Sequence, residues 1–300
     1  MPSMAAAPPP GSGTLYLVPT PIGNPRDITL RAIDVLGSVA VVAAEDTRKA
    51  RTLFQRLEIQ PKLISYHDVN ERSRSAEILR LLAAGQDVAL ITDAGTPLVN
   101  DPGYRAVTAA VAEGFRIRAL PGPSAVLTAL VGSGLACHSF TYGGFLPRKT
   151  AARRAAIGRL ATLPTTLIFF EAPHRLLETV TDLCSVLGDR NAVAARNLTK
   201  ANEEYLRGPL SAIASRLASA GAVRGEYTLV VDGAAERDTT AAEDLADQIA
   251  RSLLARDVPA STVRDVVKEV TGLPRNDVYK RVQAHLAAGP PDVGRSPGRV

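Results

Sequence analysis

Asp87-Val88-Ala89-Leu90-Ile91-Thr92-Asp93-Ala94-Gly95-Thr96-Pro97 runs from an apolar segment of strand length straight into a bend rich in Gly and Pro. Gly removes the side chain that would hold a ligand away from the backbone, and Pro fixes φ. Such a bend therefore presents amides and carbonyls in a set geometry at low ordering cost. The same design recurs at Val18-Pro19-Thr20-Pro21-Ile22-Gly23-Asn24, Leu120-Pro121-Gly122-Pro123-Ser124, Gly143-Gly144-Phe145-Leu146-Pro147 and Phe169-Phe170-Glu171-Ala172-Pro173-His174-Arg175. Loops of this kind bind small molecules.

Around these bends, strand-like segments at 14–19, 39–44, 87–92 and 115–120 alternate with helix-like stretches such as 30–36 and 71–83. Strand and helix in alternation predict an α/β fold with a mostly parallel sheet covered on both faces. Ligands of such sheets sit beyond the carboxyl ends of the strands, where loops 20–24, 93–97 and 121–124 fall. After a helix at 124–135, strands at 139–142, 165–170, 192–195 and 227–231, interleaved with helices near 151–160, 175–187 and 210–218, predict a second α/β unit. Its loops at 143–147, 170–175 and 224–226 would close over the first rim and leave a cleft between the two. Beyond the linker 233–238, segments 259–270 and 276–286 joined by Thr271-Gly272-Leu273-Pro274 have the form of a helix-turn-helix or of a plain helical hairpin. The expected organisation is a disordered leader at 1–13, an N-terminal α/β domain at 14–125, a C-terminal α/β domain at 126–234, a small helical C-terminal domain at 239–288 and a disordered tail at 289–300.

With 300 residues, 46% of them hydrophobic, the chain can bury two cores. Its longest apolar runs fall far short of the roughly 20 residues a bilayer requires. The Ala/Pro/Gly/Ser leader has neither a basic region nor a long apolar segment, so a cytoplasmic protein with no membrane partner is expected. Cys137 and Cys184 lack metal or disulfide spacing and are expected to be small buried apolar residues. The four His are scattered, so no metal is expected. No Walker A sequence occurs, no GxGxxG opens a helix after a strand, and Gly132-Ser133-Gly134 is not a nucleophile elbow. What remains is a pocket of backbone. Methyl transfer from S-adenosyl-L-methionine suits it, because the donor carries the difficult chemistry and the protein mainly aligns the partners.

The bends at 18–24, 92–103 and 120–124, together with Ala44-Glu45-Asp46-Thr47-Arg48, Gly144-Phe145-Leu146-Pro147, Phe170-Glu171-Ala172-Pro173-His174-Arg175, Leu198-Thr199-Lys200 and Arg224-Gly225-Glu226, resemble in fixed order the ribosomal RNA small subunit methyltransferase I family of the tetrapyrrole methylase superfamily. The resemblance covers about residues 14–231. It implies the two-domain fold of class III methyltransferases, S-adenosyl-L-methionine as donor, and 2′-O-methylation of a cytidine in 16S rRNA of the small ribosomal subunit by a homodimer. By the same carry-over, Pro21, Asp93, Ala94, Gly95, Thr96, Pro121, Gly122, Pro123 and Ser124 lie against the donor. Phe169, Phe170, Glu171, Gly225 and Glu226 lie on its adenine side, unless the phenylalanines are core and Asp93 merely caps a turn. Members usually carry a Glu where this chain has Asn197 and another where it has Gly143, which leaves the roles of Arg196 and Lys200 open.

A ribose hydroxyl is a weak nucleophile and needs a proton acceptor or a group that stabilises the alkoxide. Asp27, Glu45, Asp46 and Glu171 are the candidate acceptors, with Lys200 or Arg26 as electrostatic partner; for Glu45 and Asp46, an ion pair with Arg48 or Arg51 is the alternative. The net charge of +5 and the basic runs around Arg48 and at Arg148, Lys149, Arg153 and Arg154 suit a polyanion. Arg26, Arg48, Lys149, Arg153 and Arg154, then Arg275, Lys280 and Arg281, are the expected RNA contacts. Rival functions are a precorrin-type tetrapyrrole methyltransferase, disfavoured because its usual Gly-Pro-Gly-Asp first loop is replaced here, a non-catalytic RNA-binding protein with a vestigial pocket, and a diphthine-synthase-like enzyme acting on a protein.

Overall fold

The computed structural model describes residues 8–221, 223–235 and 240–288. Most of the expected leader, residues 1–7, and the whole of the expected tail lie outside them. The leader's last residues are part of the body: Gly13 is buried and its N donates to Leu82 O at 2.8 Å.

Residues up to Ala234 form one compact unit. Its first half runs β1 (Thr14–Leu17), α1 (Leu30–Ser38), β2 (Val41–Ala44), α2 (Thr47–Arg56), β3 (Leu63–Ser65), α3 (Glu71–Ala83), β4 (Val88–Ile91), α4 (Tyr104–Ala112), β5 (Arg116–Ala119) and α5 (Ala125–Ser133). The five strands pair in the order β3-β2-β4-β1-β5, every pairing parallel. Every residue of β2 and β4 is buried, as expected of strands covered on both faces. Alternation divides them. Val88 and Leu90 join Ile78, Leu82, Ala106 and Ala110 from α3 and α4. Ala89 and Ile91 join Ala32, Leu36, Ala50 and Phe54 from α1 and α2 on the opposite face.

The second half runs β6 (Phe140–Phe145), α6 (Thr150–Gly158), β7 (Thr166–Glu171), α7 (Leu176–Leu187), β8 (Asn191–Arg196), β9 (Glu204–Pro209), α8 (Leu210–Ser219) and β10 (Tyr227–Val231). The sheet order is β6-β7-β10-β8-β9, and only the β6–β7 pair is parallel. Leu167, Phe169, Leu229 and Val231 face α6, α7 and α8. Ile168, Val193, Ala195 and Val230 face the other way, where Val126, Ala129 and Leu130 of α5 cover them. The helix that begins at the first sheet's rim is thus half the cover of the second.

Residues from Ala235 form a separate unit. Here α9 (Thr240–Leu254), α10 (Ala260–Thr271) and α11 (Arg275–Ala288) enclose Ala246, Ala250, Val263, Val267, Leu273, Val278 and Val282. Gly272 closes α10 in the left-handed conformation at φ 66°. With α9 packed against both, the expected hairpin is part of a three-helix unit. No helix among the described residues is long and apolar enough to cross a membrane. The cysteines depart from expectation: Cys137 is exposed and Cys184 only half-buried.

Candidate active site

β1, β4 and β5 are neighbours, so the loops that leave their carboxyl ends are neighbours too, and polar groups sew them together. Thr20 N donates to Gly95 O and Gly95 N to Thr20 O, both at 2.9 Å. Thr20 Oγ1 donates to Thr92 O at 3.0 Å, and Thr96 Oγ1 to Pro123 O at 3.0 Å. Gly95 makes its turn at φ 84°, and a Cβ on Gly122 would come within 2.9 Å of Pro19. Ser124 then caps α5 by accepting from Leu127 N.

Asp93 is fixed at the centre of this rim. Its Oδ1 accepts from Asp46 N at 3.0 Å, its Oδ2 from Lys49 Nζ at 2.7 Å, and its own N donates to Glu45 Oε2 at 3.3 Å. Burial pushes the Glu45 carboxyl up, and the Asp93 charge adds to this against the Asp93 N–H and Lys49. Asp101, on the same loop, is pushed up to about 6 by burial first and the Glu45 charge second, with the Thr92 hydroxyl acting the other way.

These residues line a cleft of about 420 Å³, within the roughly 300–1,000 Å³ typical of small-molecule pockets. The first half supplies Ile22, Glu45, Lys49, Asp93, Ala94, Gly95, Thr96, Val99, Asn100, Asp101, Ser124 and Ala125; the second supplies Phe145, Phe170, Leu198, Glu226, Tyr227 and Thr228. Phe170 meets Tyr142 and Phe145 edge-on, with centroids 5.2 and 5.6 Å apart, which builds an aromatic wall.

Two latches hold the halves together across the cleft. Asn24 N donates to Thr199 Oγ1 at 3.0 Å, with Gly23 so close to Leu198 and Lys200 that a Cβ would meet them at 2.7 Å. Opposite, Tyr142 Oη donates to Asn100 Oδ1 at 2.6 Å, and a Cβ on Gly144 would approach the same oxygen to 2.7 Å. Both latching loops hold non-glycine residues at positive φ: Leu98 at 72° and Asn100 at 67° on one side, Asn197 at 50° and Thr199 at 63° on the other. For Leu and Thr this conformation is strained, and strain of this kind collects at ligand clamps.

The family model described as tetrapyrrole (corrin/porphyrin) methylases matches residues 14–214. A protein of Micromonospora olivasterospora named ribosomal RNA small subunit methyltransferase I is 58% identical over 91% of this chain and 87% of its own length. The chain belongs to the ribosomal RNA small subunit methyltransferase I family. The Xylella fastidiosa relative of that name is 43% identical over 89% of this chain and 98% of its own. Among solved structures, uroporphyrin-III C-methyl transferase from Thermus thermophilus, complexed with S-adenosyl homocysteine, shares the fold at a TM-score of 0.54, with 21% identity over 73% of this chain and 97% of that one.

Against this family frame the expected donor residues divide. Asp93, Ala94, Gly95, Thr96, Ser124, Phe170 and Glu226 line the cleft. Gly122 and Pro123 line a smaller adjoining pocket with Asp27, Ile22, Ser124 and Thr199. Pro21, Pro121 and Gly225 line neither pocket. Gly225, at φ 109°, would bring a Cβ within 2.6 Å of Asn197 Oδ1, so it serves the packing of that loop. Phe169 must be corrected: neighbours on a strand point to opposite faces, so with Phe170 in the cleft Phe169 is wholly buried in the second core. Glu171 must be corrected too. It is buried, accepts from Thr179 Oγ1 at 2.6 Å and from Ala172 N at 2.8 Å, and pairs with Arg175, so it serves neither donor nor proton transfer.

Of the other expected catalytic groups, Glu45 faces the cleft. Asp46 caps α2 instead, accepting from Arg48 N at 2.8 Å and from the Arg48 side chain, which holds its carboxyl well below the usual range. Lys200 Nζ donates to Glu226 Oε2 at 2.8 Å.

The two departures from the family pattern have local reasons. Asn197 tolerates positive φ, and its N donates to Glu226 O. Arg196 is held by Arg224 O at 2.9 Å and by Glu204. A side chain at Gly143 would meet the Phe169 ring at 2.6 Å.

Among the expected RNA contacts, Arg26, Arg48, Lys149, Arg154, Arg275 and Lys280 are exposed. Arg153 must be corrected: it is 2% exposed, and its Nε donates to Asp182 Oδ2 at 2.6 Å. Arg154 reaches Asp182 Oδ1 at 2.6 Å from its exposed position. Arg281 must also be corrected, because it pairs with Asp247 at 2.6 Å and with Glu243, tying α11 to α9. Lys49, Asn100, Asp101 and Phe145 were missed, although each lies in or beside a motif quoted from the sequence. A lysine one turn after Glu45, and an acid in a loop already matched to the family, were the available signals.

Proposed function

We propose that this protein transfers a methyl group from S-adenosyl-L-methionine to the 2′-hydroxyl of a cytidine in 16S rRNA of the small ribosomal subunit. The carrying observation is the cleft itself. Glu45, Asp93, Asp101 and Glu226 line it, and among the described residues Lys49 is the one cation in that lining, so its surplus is negative. The donor, with a sulfonium, an ammonium and one carboxylate, has the opposite surplus. Backbone at Ala94, Gly95 and Thr96 would receive its amino-acid and ribose parts, Phe170 and Phe145 its flat adenine, and Lys49 its carboxylate. The residues present therefore fit the donor.

When bound, the donor supplies a methyl carbon already made electrophilic by the sulfonium. The chain must orient an incoming ribose oxygen in line with that carbon, an alignment that can be worth several kcal/mol. The sewn rim loops and both latches hold the cleft walls in fixed register. Phe145 and Phe170 present an apolar wall to the bound donor. Exposed Arg48, Arg148 and Lys149 offer charges to phosphate, since most contacts to structured RNA are to its backbone.

The reading is tested by incubating the protein and methyl-labelled donor with purified small subunits, naked 16S RNA, a tetrapyrrole and a protein extract. Label in 16S RNA, recovered after nuclease digestion as ribose-methylated cytidine, is the expected result. Label on tetrapyrrole or protein, on a base, or on nothing overturns it.

A further inference from the structure

The carboxylates in and beside the cleft differ in what holds them. Both oxygens of Asp93 accept hydrogen bonds, from Asp46 N and Lys49. Glu226 holds Lys200, Glu45 accepts from Asp93 N, and Asp46 caps its helix. Asp101 lines the same cleft; the neutral Thr92 hydroxyl acts on its carboxylate, and among the described residues no cation pairs with it. It follows Asn100, whose φ of 67° and bond from Tyr142 Oη fasten this stretch to the second half of the unit. Its position is thus set by both walls.

We propose that Asp101 is the general base of the reaction. The assignment rests on the reading of the chain as a ribose methyltransferase. The ribose oxygen forms its bond to the methyl carbon as the carbon–sulfur bond breaks with its electron pair left on sulfur. The hydroxyl proton passes to the Asp101 carboxylate, which releases it to solvent once the product leaves.

The charged and titratable groups around Asp101 support the assignment. Glu45 at the end of β2, Asp93 after β4 and Asp68 after β3 all place negative charge near it, and Tyr142 of β6 adds a neutral phenol; among the described residues Lys49 of α2 is the one cation in the cleft lining, and it is bound to Asp93. Burial, with the charges of Glu45, Asp93 and Asp68, brings the carboxyl to about 6, close to the working pH at which a base is most effective. The four acids named before from the sequence lack this combination: Asp46 and Glu171 are committed to structure, Glu45 is bonded to the rim, and Asp27 lines the adjoining pocket.

The test compares wild type, Asp101→Asn and Asp101→Glu on purified small subunits with labelled donor, and measures donor affinity by calorimetry. Asp101→Asn is expected to lower kcat roughly 100-fold or more, the scale of general-base catalysis, with donor affinity weakened only a few-fold by the lost negative charge; Asp101→Glu should restore part of the rate. The wild-type profile of kcat/KM against pH should rise to a plateau with a midpoint near 6, and this limb should vanish in Asp101→Asn. A rate within a few-fold of wild type, a retained limb, or lost donor binding in Asp101→Asn overturns the proposal. Should that variant not fold, a wild-type profile flat from pH 5 to 8 overturns it equally. If wild type labels no RNA, the functional reading fails instead, and the two failures are distinct.

Discussion

Asn197 and Glu226 are joined twice. Asn197 N donates to Glu226 O at 3.0 Å, and Glu226 N donates to Asn197 Oδ1 at 3.2 Å, so one amide side chain completes a backbone-like pair in a loop at positive φ. Glu226 thereby reaches the cleft in a fixed position, with Lys200 on its carboxylate. Asn197→Ala should cost about 1–2 kcal/mol, combining a lost hydrogen bond with a conformation Ala adopts poorly. Urea denaturation measures the first effect. Calorimetry should show weakened donor binding alongside it.

Asp93 and Asp46 lie side by side but have different duties. Asp93→Lys would set a second cation against Lys49 in the place of a carboxylate and should abolish donor binding. Asp46→Ala removes a helix cap, a loss of about 1 kcal/mol, and should leave donor affinity as it is. Titration of both variants with donor separates them.

The buried guanidinium of Arg153 belongs to the fold. Arg153→Ala leaves Asp182 uncompensated on that side and should destabilise by about 3–5 kcal/mol. Lys149→Ala, at an exposed position nearby, should leave stability alone. It should instead reduce the salt dependence of RNA binding, each lost phosphate contact lowering the log–log slope by roughly 0.7–0.9. Chemical denaturation and filter binding at graded salt check the pair.

Stability should also depend on the charge of Asp101. Its folded pKa of about 6 lies above the ordinary carboxylate value near 4, so the folded state holds the proton more tightly than the unfolded one. Stability therefore falls as pH rises between those values and stays lower above them. Asp101→Asn should raise the melting temperature at pH 7.5 by a few degrees, on the order of 1 kcal/mol, and the gain should close near pH 4. Scanning calorimetry at the two pH values reads the difference directly.

The first sheet was readable because its inner strands are continuous apolar runs that end in Gly/Pro bends. β3, three residues long, and β9, an edge strand carrying Arg207, Gly208 and Pro209, carry no such signature. The antiparallel pairing of the second sheet follows from which strands meet, a matter of contacts far apart in the chain. The same holds for the site. Phe169 and Phe170 read alike as letters, yet a strand can offer only one of two neighbours to a given face. Arg153 looked like its exposed neighbours because Asp182, the partner that buries it, lies 29 residues away. Asp101 stood inside a matched motif, but what marks it is the commitment of the acids around it, which only the folded chain reveals.

Because α5 starts at the rim of one sheet and forms a wall of the other, the boundary between the lobes is a graft rather than a seam. A chimera joined at residue 125 would carry the second sheet with α5 but leave that helix to be capped by a foreign residue in place of Ser124. One joined after residue 133 would take the native cover from one face of that sheet. In this architecture new acceptor specificity is more readily acquired by rewriting loops on an intact pair of lobes than by shuffling the lobes themselves.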